Sequence, residues 1–162
     1  LAGMYGGTQK KKRSQHVQGV KALKANGGNF AFEFDPQTIR VEAERTDGAL
    51  DVARVNVIAV VPYFVMKTAA MGRGKAKDAY DLYFLVKHYH DGLDGLAKLF
   101  EDYRESRIIL EMKEKLSEKF ASQNHAGPTD VAAFLDLVDE EEIAFTKRDA
   151  YEQIQALIRR LE

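Results

Sequence analysis

The rhythm of apolar and polar positions changes twice along this chain, and each change marks an expected change of structure. Behind Ser14, a residue able to cap a helix, Val17, Val20 and Leu23 recur at near-helical spacing, so a helix is expected over residues 14–25. Asn26-Gly27-Gly28 would stop it. A period of two follows: Phe30, Phe32 and Phe34 alternate with Ala31 and Glu33, and Asp35-Pro36 then turns the chain. Ile39, Val41 and Ala43 alternate with Arg40, Glu42 and Glu44, the signature of an antiparallel partner with one wet face. After a turn at Thr46-Asp47-Gly48, residues 51–61 are expected to form a third strand. Their VNVIAVV run is apolar on both faces and reads as a central strand covered on each side.

From Pro62 onward the period is helical. Proline suits the first position of a helix, where its missing N–H costs nothing, and residues 62–71 are apolar nearly all round, as in a core helix. Gly72-Arg73-Gly74 opens a basic turn into a helix with Ala79, Leu82, Tyr83 and Val86 on its apolar face. Residues 93–103 form a short amphipathic segment, with Leu96, Leu99 and Phe100 expected inward. Ser106 caps a helix running to about Ser122 on Ile109, Met112, Leu116 and Phe120. Gly127-Pro128 is expected to break it and Thr129 to cap the next, with Val131, Phe134, Leu135 and Val138 on its stripe. The acidic run 139–142 reads as helix-start charge, and residues 149–161 as a closing amphipathic helix. The expected fold is α+β: a small mixed or antiparallel sheet of about three strands, then a mainly helical C-terminal half.

Composition narrows the function. A chain of 162 residues, 45% hydrophobic and 30% charged, is globular and large enough for one domain. The net charge of −1 gives no overall attraction to nucleic acid or acidic lipid, so any such attraction must be local. With no cysteine, disulfides and thiolate metal sites are excluded, which fits a cytoplasmic home. The apolar window 55–72 is long enough to raise a membrane question, but Asn56, Pro62 and Lys67 argue for a strand and a helix instead. The four histidines make no metal spacing, and there is no phosphate-binding Walker loop, dinucleotide glycine fingerprint or serine elbow. The basic run at residues 10–13 reads first as a solvated segment and second as a phosphate contact.

One charge stands apart. Between Arg54 and Arg73 the only charged side chain is Lys67. An ammonium among hydrocarbon is costly unless paired, and the nearest acids downstream are Asp78 and Asp81, three apart and therefore on one helix face. Asp78 falls in a first helical turn, where the dipole favours an anion, and Asp81 can also pair with Lys77 at i,i+4. Two readings follow: a phosphate-facing site, or a buried ion pair that locks two helices.

The segment VNVIAVVPYFVMKTAAMGRGKAKDAYDLYFLV resembles the later half of the AbiEii-like nucleotidyltransferases, a branch of the polymerase-beta-type superfamily with many toxins of type IV toxin–antitoxin systems. The family pattern is an apolar strand, a proline-led helix carrying a lysine, a basic loop, and a helix opening on a basic residue, Asp, two residues and Asp. Lys67, Arg73, Lys77, Asp78 and Asp81 stand here in that order, and residues 131–158 resemble the C-terminal helices of some members. The resemblance implies nucleotide transfer from a nucleoside triphosphate to an RNA or protein acceptor such as a tRNA end. It implies Mg2+ as cofactor, and an antitoxin among the partners. Lys67, Asp78 and Asp81 take the catalytic places, and Arg73, Lys75 and Lys77 the nucleotide-binding ones. The family's upstream Asp-x-Asp metal pair occurs nowhere in this sequence. Gly6-Gly7-Thr8 matches only the preceding turn, and Glu33 with Asp35 is the nearest substitute on one expected strand face. Residues 1–75 are therefore expected to be the remainder of an N-terminally incomplete α/β domain, and residues 76–162 a helical C-terminal domain. The alternative function is a non-catalytic relative that binds a nucleotide or a partner.

Overall fold

The computed structural model describes residues 14–17, 20–23, 28–71, 73 and 75–162. Residues 6–8, the basic run 10–13 and the expected helix end at 24–27 lie outside the described residues. The chain divides into two compact units, residues 1–63 and 64–162. The fold is α+β with a helical C-terminal half.

The first unit holds two antiparallel hairpins. Strand β1 (Ser14–Val17) pairs with β2 (Val20–Leu23), Ser14 opposite Leu23 and Val17 opposite Val20. Where a helix is expected over residues 14–25, the described residues 14–17 and 20–23 are therefore paired strands. Three apolar residues at a spacing of three fit either element, and β-branched Val17 and Val20 favour the extended chain. The expected phenylalanine strand is a single 3-10 turn, Phe30–Glu33. Phe30 is buried and meets Phe34 edge-on at 4.9 Å, while Phe32 is exposed. Glu33 thus does not share a strand face with Asp35, which removes the geometry of that substitute metal pair.

Strand β3 (Gln37–Glu44) pairs with β4 (Leu50–Val57) from Gln37 opposite Val57 to Glu44 opposite Leu50. The alternation places Ile39, Val41 and Ala43 on one face with Val55 and Ala53, and the charged residues of β3 on the other. Gly48 closes the turn at φ 83°, a conformation that side-chain-bearing residues avoid. The covered central strand is not found: β4 is exposed along almost its whole length and has β3 as its only strand neighbour among the described residues. The apolar run splits instead. Its first part ends β4 at Val57, and Val60 already begins helix α1 (Val60–Ala70). A continuous apolar run does not by itself distinguish strand from core helix.

The second unit contains the rest of α1 with α2 (Ala76–His88), α3 (Gly92–Lys98), α4 (Arg107–Lys119), α5 (Ala126–Phe134) and α6 (Glu140–Arg160). Phe64, Leu82, Leu96, Phe100, Ile109, Leu116, Phe120, Val131, Ile154 and Leu157 are fully buried and form its core. Helix α2 packs on α5, α6 and α3, and α6 packs also on α5, α3 and α4. Ala79, Leu82, Tyr83 and Val86 are all buried, as the apolar face of α2 requires.

Several boundaries differ from expectation. Gly127-Pro128 lies inside the first turn of α5, where proline is tolerated, and the cap position is His125, not Thr129. The glycine has a packing reason: a Cβ at residue 127 would lie 2.6 Å from the Phe120 ring. The acidic run does open a helix, since Asp139 caps it by accepting from Glu142 N–H at 2.9 Å. That helix continues without interruption to Arg160. Leu99, Phe134, Leu135 and Val138, expected inward, are exposed. No helix of the described residues is long and apolar enough to cross a membrane.

Candidate functional site

Lys67 sits in the last turn of α1, and the chain reverses through Met71, Arg73 and Lys75 into α2. That reversal brings the first two turns of α2 to the lysine. Its Nζ donates to Asp78 Oδ1 at 2.9 Å and lies 2.6 Å from Asp81 Oδ2. The spacing of three in α2 makes this double contact possible, because both carboxylates project from one face. Asp81 uses its other oxygen: Lys77 Nζ donates to Oδ1 at 2.6 Å. One carboxylate therefore holds two ammonium groups, one from each helix.

Access is graded across the cluster. The side chains of Asp78 and Asp81 are each 11% exposed and that of Lys67 is 24% exposed, whereas Lys77 is 59% exposed. Partial burial disfavours the charged form of Lys67, but the hydrogen bonds it donates to Asp81 and Asp78 outweigh it and raise the ammonium above its ordinary range. Burial likewise works against ionised Asp81, and contacts to Lys67 and then Lys77 reverse the balance and hold its carboxyl below the usual range. The two acids of the cluster are thus largely covered, and Lys77 is its most exposed side chain.

Of the six residues singled out from sequence, four meet here: Lys67, Asp78, Asp81 and Lys77. Arg73 and Lys75 are exposed on the connection and make no side-chain hydrogen bond or ion pair to the cluster among the described residues. Lys75 occupies the cap position of α2, and its carbonyl accepts from Asp78 N–H at 3.2 Å. Among the described residues no group of three or more His, Asp or Glu side chains could hold a metal ion. Asp78 and Asp81 already accept from ammonium groups, so this donor set does not fit a magnesium site.

Two neighbouring features carried no sequence signal. Lys115 of α4 donates to the Ala69 carbonyl at 3.0 Å, near the end of α1. Burial, followed by the proximity of Lys119 and Arg73, pulls its ammonium below the ordinary range. Further along α2, Tyr83 Oη donates to Asp149 Oδ2 of α6 at 2.5 Å, and Lys87 Nζ donates to the same oxygen at 2.7 Å and to Tyr83 Oη at 2.8 Å. Burial and the acceptor Asp149 raise the phenol above its usual range. Asp149 is held low: burial opposes its charge, and Lys87 and Tyr83 overcome that. This node fixes α2, and hence both site carboxylates, against the longest helix. Nothing in the local pattern of residues 83–87 points to an acid more than sixty positions away.

No curated protein and no solved structure matches the chain. A family model described as "Nucleotidyl transferase AbiEii toxin, Type IV TA system" matches residues 25–160, a span that takes in both helices of the lysine–carboxylate cluster, and the protein belongs to that family.

Proposed function

We propose that the protein takes part in nucleotide transfer from a nucleoside triphosphate to an RNA or protein acceptor, with Lys67 as the phosphate-facing cation. The observation that carries this reading is the shared carboxylate of Asp81, which holds the Lys67 and Lys77 ammonium groups side by side without dispersing them. Two neighbouring cations fixed before the ligand arrives suit an oligophosphate, because charge that builds on a transferring phosphoryl group meets donors that need not reorganise. Asp78 and Asp81 position Lys67 and keep it charged. Arg73 and Lys75, exposed on the connection, add positive field at the same end. Family membership supports a nucleotidyltransferase-like toxin. The nucleotide, the acceptor and the antitoxin belong to this proposal, as does Mg2+, which would need ligands beyond the described donor set.

The second reading, an ion pair that only locks α1 to α2, is favoured by the 11% exposure of the two carboxylates. Label transfer separates the two. The protein is incubated with each of the four ribonucleoside triphosphates carrying an α-phosphate label, magnesium and total tRNA or protein. The proposal expects incorporation that Lys67→Met abolishes while the variant remains folded. Incorporation by Lys67→Met at the wild-type rate refutes the assigned role.

A further inference from the structure

Helix α2 carries a second pattern besides its apolar face. Tyr80, Phe84 and His88 recur every four residues and so form a stripe along one side. Their rings touch in succession, Tyr80 to Phe84 at 5.9 Å and Phe84 to His88 at 4.5 Å between centroids. Phe134, at the end of α5, joins the row and lies 4.5 Å from Tyr80 at an interplanar angle of 32°. Core packing does not account for Phe84 and Phe134, which are 49% and 40% exposed. At the upstream end of the row, Lys77 Nζ stands 5.8 Å over the Phe134 ring while it bonds Asp81. The aromatic row therefore begins where the lysine–carboxylate cluster ends.

We infer that this row is a stacking shelf for consecutive bases of a single-stranded polynucleotide whose phosphates are drawn to the basic end of α2. The inference rests on the nucleotide-transfer reading and names where a nucleic-acid acceptor would lie. Three observations select this occupant. First, Phe84 and Phe134 leave much of their ring surface exposed, and every base has a π-face that can pack on an exposed ring, so stacking contributes binding without sequence preference. Second, the row is long. Tyr80 to His88 spans about 12 Å at 1.5 Å per residue. That matches about three steps of a strand whose bases lie roughly 3.4 Å apart, where a lone nucleotide would use one ring. Third, residues 73–88 carry Arg73, Lys75, Lys77 and Lys87 against Asp78 and Asp81, a local net charge of +2 in a chain whose net charge is −1. A polyanion is attracted by such a local excess of positive charge.

Fluorescence anisotropy tests the shelf with two labelled probes, an oligoadenylate ribohexamer and a base-free hexamer with the same sugar-phosphate backbone. The wild-type protein should bind the adenylate probe at least about 5-fold more tightly. Phe84→Ala should weaken that binding by about 5- to 150-fold, the range for loss of one stacking partner, and leave base-free binding unchanged. Phe84→Leu, which keeps an apolar side chain but removes the ring plane, should lose as much as Phe84→Ala, and Phe84→Trp should retain binding. The half-exposed position makes these variants foldable, and circular dichroism verifies it. Equal affinity for the two probes overturns the inference. So does full adenylate binding by Phe84→Leu, and so does a Phe84→Ala defect confined to capture of a protein antitoxin. Lys67→Met separates this inference from the transfer reading: it should abolish label transfer yet keep the preference for the adenylate probe. A retained base preference in a protein that transfers no label would remove the transfer reading and leave the shelf.

Discussion

Replacing Lys67 by methionine removes the charge and keeps most of the hydrocarbon volume, so it isolates the ionic part of the cluster. In the wild-type protein the ammonium lies 2.9 Å from Asp78 and 2.6 Å from Asp81. Deleting one partner of a fully buried pair costs about 3–5 kcal/mol, because the other charge stays behind without compensation. Two features reduce that figure here. Lys67 retains 24% exposure, so solvent already screens it, and Asp81 keeps its 2.6 Å contact to Lys77. Asp78, buried and deprived of its lysine, bears most of the loss. The expected destabilisation is about 2–3 kcal/mol. For a chain of this size that corresponds to a Tm lower by about 4–12 °C.

The pH dependence has a definite sign. Asp81 is held low, so its contribution is fully present above the unfolded carboxyl value of about 3.9 and is lost as pH falls through the lower folded value. Lys67 is held high, so its contribution is fully present below the unfolded value of about 10.4 and is lost as pH rises through the higher folded value. Urea unfolding of wild type and Lys67→Met should therefore differ by a constant amount between about pH 5 and 10. The gap should shrink in acid below about pH 4. Adding Asp78→Asn to Lys67→Met should recover part of the loss, because the stranded carboxylate is then neutral. A Lys67→Met protein within about 0.5 kcal/mol of wild type at pH 7, or a gap that grows in acid, would refute this account of the cluster.

Other consequences are independent of the proposed chemistry. Tyr83→Phe removes a donor to Asp149 but leaves Lys87 in place; equilibrium unfolding should show a loss of about 1–2 kcal/mol. Asp149→Asn should cost more than Tyr83→Phe, because it removes the counter-charge of Lys87 as well, and a smaller effect would contradict the node. Gly127→Ala should destabilise by about 1–3 kcal/mol, since its methyl would meet the Phe120 ring. Wild-type stability in that variant, read by thermal melting, would mean that the ring moves aside freely.

The half of the chain that proved most legible has strong, redundant patterning. The face of α2 could be read because Ala79, Leu82, Tyr83 and Val86 leave no strand alternative over thirteen residues. The partners of Lys67 could be read because no other charge competes within the window 55–72, and the nearest downstream acids share a face. The first unit misled for a physical reason. Its segments are short, and three apolar residues such as Val17, Val20 and Leu23 satisfy two periods at once. Phe30, Phe32 and Phe34 alternate, yet the 3-10 turn buries Phe30 and exposes Phe32, so alternation here reported no strand. Gly127-Pro128 was misplaced because proline both ends helices and begins them. Asp149 and Lys115 are tertiary partners, and no local rule reaches them. Phe84 and Phe134 differ again: the stripe expected to bury Phe134 is apolar, but the aromatic row it joins faces solvent.

On the proposed reading Lys67, held charged by Asp78 and Asp81, faces a site for phosphates. Isothermal titration of nucleoside triphosphate into the folded protein in magnesium buffer, compared with Lys67→Met and with Lys98→Met as a charge-matched control on α3, tests it most directly. The wild type should bind, Lys67→Met should weaken that binding at least about 10-fold, or about 1.4 kcal/mol, and Lys98→Met should leave it unchanged. Equal affinities in all three proteins, or no binding by the wild type, would contradict it.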